Sequence, residues 1–199
     1  RCFITTDSKH FFYKSPNRIK DLLPTQSEQV FVSDITYIKL DEGYAYLALV
    51  TDLYSKKIMG YKLDDNMKVG MVKEALKMAM KNRIYKRETT IHHSDRGLQY
   101  CCPDYSEFAE KNGFILSTTE KYDPYENAVA ERMNGILKYE FGLKRIIPSL
   151  EVAVKMVDEA VYLYNNRRLH RSLQMDTPNQ AHKKQKHKYA TYRKEKTAA

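Results

Sequence analysis

Cysteine is scarce in this chain, and long apolar runs are absent. Only Cys2, Cys101 and Cys102 occur among 199 residues. An odd count with an adjacent pair makes a poor disulfide framework, which points to a reducing, cytoplasmic setting. No Cys-x-x-Cys pair or His/Cys set has zinc spacing, so His92 and His93 read as packing or hydrogen-bonded histidines. No apolar run approaches the roughly 18 residues that would suggest a membrane span, so no membrane partner is expected. The opening Arg1-Cys-Phe-Ile-Thr-Thr lacks the apolar stretch of a signal peptide. A first residue other than Met suggests a segment of a longer protein.

Positive charge is what the chain has in excess. The net charge is +9, of which His182 to Lys196 carries +6. The folded part is therefore only mildly basic. A polyanionic partner is implied, and the tail reads either as a solvated terminus or as a salt-dependent DNA-backbone contact. The length suits one domain. The pattern divides it into an extension over 1–28, a core over 29–182 and a basic tail over 183–199.

Val30 to Leu40 alternates and is rich in β-branched and aromatic residues, so it reads as a strand. Asp41-Glu-Gly43 turns the chain into a second strand, Tyr44–Thr51, apolar on both faces and therefore central. Lys57–Leu63 completes an antiparallel meander. A helix capped by Asn66 is expected from Lys68 to about Asn82, with Val69, Val72, Leu76, Ala79 and Met80 on one face. Thr89–His92 is a strand following a helix, hence parallel to its neighbour. A helix from Asp104 to Asn112, stopped by Gly113, leads to a fifth strand, Phe114–Thr118. Two long helices, Glu126–Lys144 and Leu150–Arg167, close the core. The second carries a stripe of Leu150, Val154, Val157, Val161 and Tyr164. This order gives an α/β layer architecture with a mixed sheet.

Three acids stand out against that scaffold. Asp34 lies mid-strand among residues that should be buried, where a charge is costly unless paired or bound to metal. Asp95 follows a strand, the usual place for a site in an α/β sheet. Glu131 lies on a helix, with Asn127 and Lys138 on roughly the same face. Three converging carboxylates repel, and a divalent cation reverses that sign. Asp52 is the nearest rival and reads as a turn residue capping amides near Ser55. Asp123 and Glu126 read as a loop acid and a first-turn acid favoured by the helix dipole.

The pieces Ser-Asp34-Ile-Thr-Tyr-Ile, His-Ser-Asp95-Arg-Gly-Leu-Gln-Tyr, Glu-Asn-Ala-Val-Ala-Glu131-Arg-Met-Asn-Gly-Ile-Leu-Lys138 and Tyr164-Asn-Asn-Arg-Arg-Leu-His170-Arg-Ser-Leu, ahead of Thr177-Pro178, occur in that order. Between Asp95 and Glu131 lie 35 residues. In these features, over roughly residues 25–182, the sequence resembles the retroviral-integrase-type catalytic core, and most closely the acid-triad (DDE) transposases of bacterial insertion sequences. The resemblance implies an RNase H-like fold, with a five-stranded mixed sheet flanked by helices. It implies a polynucleotidyl transferase that cuts and joins DNA, with Asp34, Asp95 and Glu131 holding Mg²⁺ or Mn²⁺, two ions in all. It implies that Lys138 contacts transposon-end DNA, and that Arg167, Arg168 and His170 contact DNA or pack around the site. A homodimer or higher assembly on DNA in a bacterial cytoplasm follows in the same way. Phe31 stands where many relatives have Trp, and Glu126 where many have Asp. Neither touches the acid triad. A nuclease that only hydrolyses and a non-catalytic DNA-binding or assembly module remain the alternatives.

Overall fold

In the computed structural model, residues 10–85, 87–120 and 127–184 are described. Cys2, Asp123, Glu126 and nearly all of the basic tail lie outside them. The chain forms five strands in the order β3-β2-β1-β4-β5. Strands β1 (Val30–Lys39), β2 (Tyr44–Asp52) and β3 (Ile58–Asp64) make the expected antiparallel meander. Gly43 turns β1 into β2 at a φ of +81°, a left-handed value that suits a residue without a Cβ. Strand β4 (Thr90–Ser94) pairs parallel to β1, and β5 (Phe114–Thr118) parallel to β4.

Helices cover both faces of the sheet. On one side lie α1 (Val69–Lys81), the single turn α2 (Leu98–Cys101) and α3 (Pro103–Lys111). They close over Phe31, Ile35, Val50 and Met59. On the other side lie α4 (Ala128–Glu140) and α5 (Leu150–Asn166), over Ile38, Leu47, Leu49 and Leu63. Each fully buried side chain of this kind contributes about 1.5–3 kcal/mol of hydrophobic stabilisation. Helix α1 approaches β3 so closely that a Cβ on Gly60 would stand 2.1 Å from the Ala75 carbonyl oxygen. A final short helix, α6 (Pro178–Lys183), is opened by a capping box between Thr177 and Gln180.

Several local expectations are corrected. Asn66 does not cap α1; its side-chain amide donates to Asp64 and Asp65, and Lys68 occupies the cap position without a side-chain bond. Proline at the first helical position moves the start of α3 to Pro103. Helix α4 stops at Glu140, short of Lys144, and Gly142 follows at a φ of +77°. Val154 is exposed: the true α5 stripe runs through Ala153, Val157, Ala160, Val161 and Tyr164. Small alanines supply two of the contact points there, and a search for large apolar residues passes over them. No described helix is long and apolar enough to cross a membrane.

Candidate active site

The sheet register brings the two aspartates together. Ser33 pairs with Ser94 across the parallel β1–β4 ladder, so Asp34 and Asp95 are the next residues on adjacent chains. Neighbouring strands run about 4.8 Å apart. The strand order reverses its direction of growth between β1 and β4, and open α/β sheets build their ligand sites at such a point. Asp34 keeps some solvent access, Asp95 is half-buried and Glu131 is exposed on the first turn of α4.

The charges of both Asp95 and Glu131 are felt at Asp34. Burial, then the charge of Asp95, and also that of Glu131, push the Asp34 carboxyl up to about 7. The bonds that favour its ionised form, from the Ile35 amide and the Asn134 side chain, do not offset this. Lys138 lies near enough for Asp34 to support its charge, while burial depresses its pKa. Its ammonium stands 4.2 Å from the centroid of the Tyr37 ring, a cation–π contact.

Helix α4 is pinned to β1 by two asparagines. Asn127, at the N-cap position, does not cap its own helix; its Nδ2 donates to the Ser33 carbonyl at 3.3 Å. Asn134 Nδ2 donates to Asp34 Oδ2 at 2.7 Å. Asn134 is 6% exposed, and its Oδ1 has no partner. The sequence reading passed over Asn134, although it sits three residues after Glu131 and is the polar break in the apolar run Met133, Ile136, Leu137. On the other aspartate, Oδ1 accepts the Gly97 amide at 3.0 Å, which turns the chain sharply after β4.

The donor set is all carboxylate oxygen, which suits Mg²⁺ or Mn²⁺. Among the described residues, however, no group of three or more His, Cys, Asp or Glu side chains is placed so that it could hold a metal ion. Two aspartates fixed by the sheet and a glutamate on an adjoining helix fit an ion that also takes oxygens from water and substrate phosphate.

The other sequence-derived positions divide. His92 is buried, with Nε2 at 2.8 Å from Ser33 Oγ and 3.1 Å from the Tyr105 hydroxyl. Burial, with His93 beside it, pushes it down to about 3, so it is a neutral packing histidine as read. His170 is buried too, its ring edge-on to Tyr164 at 5.2 Å, and desolvation pushes it down to about 4. It therefore packs, and is withdrawn from the DNA contacts. Arg168 makes a two-pronged pair with Glu140, at 2.6 Å on each prong, tying the end of α5 to α4. Arg167 is exposed.

Asp52 is the turn residue that was read, accepting from the Ser55 amide and hydroxyl at 2.7 Å each. It is also part of a buried network that the sequence did not reveal. Asp52 Oδ2 accepts the Glu28 amide at 2.6 Å. His182 sets Nδ1 at 2.9 Å from Ser55 Oγ and Nε2 at 3.2 Å from Glu28 Oε1. Glu28 further accepts the amides of Ile84 and Tyr85. This clasp joins the start of β1, the β2–β3 turn, the loop after α1, and α6.

The comparisons with known proteins bear on family and fold. Integrase core domain models match residues 24–124 and 112–178, the first covering about half the chain. The chain belongs to the integrase core domain family. It is 34% identical over 164 residues to the insertion element IS600 uncharacterized 31 kDa protein of Shigella sonnei, covering 82% of this chain and 60% of that one. It is 30% identical over 164 residues to the transposase for insertion sequence element IS629 of the same organism, covering 82% and 55%. A putative transposase for IS986/IS6110 of Mycobacterium tuberculosis is 34% identical over 157 residues, covering 74% and 55%. The chain thus spans little more than half the length of these relatives. Among solved structures, the HTLV-2 integrase catalytic core domain in complex with magnesium superposes with a TM-score of 0.61 at 17% identity, covering 79% of this chain and 97% of that one. A chain of the simian T-cell lymphotropic virus intasome reaches 0.68 at 17% identity, covering 89% and 60%. The fold is thus that of the retroviral integrase cores, RNase H-like as expected, and Asp34, Asp95 and Glu131 lie on β1, after β4 and on α4.

Proposed function

We propose that this chain is the catalytic core of an insertion-sequence transposase, which cuts DNA at an element's end and joins the freed strand to another. The observation that supports this reading is the placing of Asp34 and Asp95 side by side, just past the last β1–β4 pair, in an integrase core domain. Such a pair is incomplete without a cation. The magnesium complex of the HTLV-2 integrase core, a relative in fold, supports a divalent ion in this role.

Asp34 and Asp95 would hold the ion, with Glu131 as the third carboxylate donor. Bound divalent ions supply Lewis-acid activation of an attacking oxygen and neutralise charge on the leaving oxygen, and a pair of them does both. The chain's own residues orient the donors. Asn134 fixes Asp34, the Gly97 amide fixes Asp95, and Asn127 sets the spacing between β1 and α4. Lys138 offers a cation to a DNA phosphate on the Glu131 side. In cleavage, water adds to phosphorus and the 3′ oxygen leaves as a hydroxyl. In joining, that hydroxyl attacks a second phosphodiester and displaces that strand's own 3′ oxygen. No covalent protein–DNA link is required.

In this reading the core is 29–182, with DNA as partner and two or more copies assembled on it. The relatives in fold carry dimeric, trimeric and intasome forms in their descriptions. The deciding experiment is product analysis with labelled element-end DNA and Mn²⁺. Joined strands that vanish with Asp95→Asn support transposition. Cut strands alone assign hydrolysis, and products retained in Asp95→Asn overturn the site.

A further inference from the structure

The segment ahead of β1 adds nothing to the sheet, yet it is fastened along the rim that carries Asp95. Thr118 Oγ1 donates to the Ser15 carbonyl at 2.6 Å, and the Arg18 amide donates to Ser117 Oγ at 2.9 Å. The Arg18 guanidinium reaches the Leu116 carbonyl. His10 Nε2 donates to the carbonyl of Arg96, the residue after Asp95, at 2.9 Å, while its Nδ1 accepts the Phe12 amide. The strap therefore follows the β5 edge, and its His10 lies beside the candidate site. Cys101 feels the same neighbourhood. Burial first, and then Asp95, push its thiol up to about 11, and the charges of Lys14 and Arg96 oppose that rise.

What the strap presents there is aromatic and cationic. Phe11 is fully exposed, Tyr13 is 79% exposed, and Phe12 leans on the His10 ring at 5.4 Å between centroids. From His10 to Lys20 the strap carries Lys14, Arg18 and Lys20 and no acid. Free aromatic faces interleaved with cations match what an unpaired nucleic-acid strand needs. Every base has a face to stack, and its phosphates are drawn to the cations. A peptide partner would use the apolar rings, but it lacks the regular run of a phosphate beside every stacking face that this alternation fits. We propose that Phe11 and Tyr13 form a stacking platform for unpaired bases at the DNA end on which the site acts. This rests on the reading of the chain as a DNA-processing core, and adds how an opened end is held next to Asp95.

The chain has no tryptophan, so Phe11→Trp places a single indole on the platform. Its fluorescence should be quenched when a duplex with a short unpaired end is added. The Phe11→Ala/Tyr13→Ala double variant should bind that duplex roughly tenfold more weakly, since stacking contributes this much or more per base. Affinity for covalently closed duplex should be unchanged, and Tyr13→Phe, which keeps the ring, should bind like the parent. Both changed side chains are exposed, so the fold is left alone. An unquenched indole on DNA whose binding is confirmed by anisotropy overturns the platform, as does equal affinity of the double variant. In both cases the DNA-processing reading still stands. A parent chain that binds neither DNA overturns both.

Discussion

Two groups of acids sit in this domain, one fully buried and one at the sheet's rim, and they are solved in opposite ways. Glu28 and Asp52 are fully buried, but each accepts backbone amides, His182 lies between them, and Arg83 and Lys57 lie near. Burial works against the Glu28 charge, yet the His182 bond and the amide bonds of Ile84 and Tyr85 hold its carboxyl below the usual range. Burial would likewise lower His182, but Asp52 and Glu28 raise it. Asp34, Asp95 and Glu131 keep more solvent access, yet Asp34 is pushed up to about 7, by burial first and then by the charges of Asp95 and Glu131, with no cation to offset them among the causes. Buried charge with partners is structure; in the reading proposed above, carboxylates gathered without enough positive charge would take a cation.

The strongest way to break this contrast is to neutralise single acids on both sides of it. Asp34→Asn, Asp95→Asn or Glu131→Gln should each lower Mn²⁺-dependent DNA cleavage by on the order of 10³-fold or more, as expected for groups that act as a unit. Asp52→Asn should leave the rate per folded molecule unchanged. A gel assay with labelled DNA reads both.

Stability reverses the ranking. Glu28→Ala leaves His182 buried without one of its two acidic partners, and the amides of Ile84 and Tyr85 and the Arg83 guanidinium unanswered, so unfolding by urea should show a loss of about 3–5 kcal/mol. Asp34→Asn should instead stabilise the metal-free protein by roughly 1–3 kcal/mol above neutral pH. The sign follows from the raised pKa. The folded state holds a proton that the unfolded state has lost, so stability declines as pH rises from about 4 to about 7 and stays reduced beyond. The gain from Asn should therefore vanish near pH 4, which melting curves across that range check directly. Metal affinity should rise over the same interval as the proton is displaced.

The smallest effect sharpens the role of Asn134. Asn134→Ala should cost about 1 kcal/mol in stability, the net contribution of one hydrogen bond. Because that bond favours the carboxylate form of Asp34, its loss should move the pH dependence of Mn²⁺ binding upward. Titration calorimetry at several pH values would detect it.

The two regions also differ in how far the sequence revealed them. The three acids stand out in sequence by their local settings, mid-strand, strand end and helix start, but it is the order and spacing of the surrounding motifs that singles them out among 25 acids. The strands were legible from alternation, and β5 was read to the residue. The clasp was not legible. Glu28 looked like linker and His182 like the start of a basic tail, and only tertiary packing brings positions 154 apart in sequence within 3.2 Å. His170 belonged to a recognisable motif, but nothing local distinguished a DNA contact from a ring packed on Tyr164. The alanines of α5 and the cap of α1 were misplaced because small residues and unused asparagines leave no strong periodic signal.

The most direct test is anomalous diffraction from crystals of the chain soaked in Mn²⁺, with and without end DNA. A peak between Asp34 and Asp95, within reach of Glu131, and none at Glu28 and Asp52, is the predicted result. Manganese at the clasp, or an acid triad still without a peak when DNA is bound, would contradict the assignment of these carboxylates as the metal site.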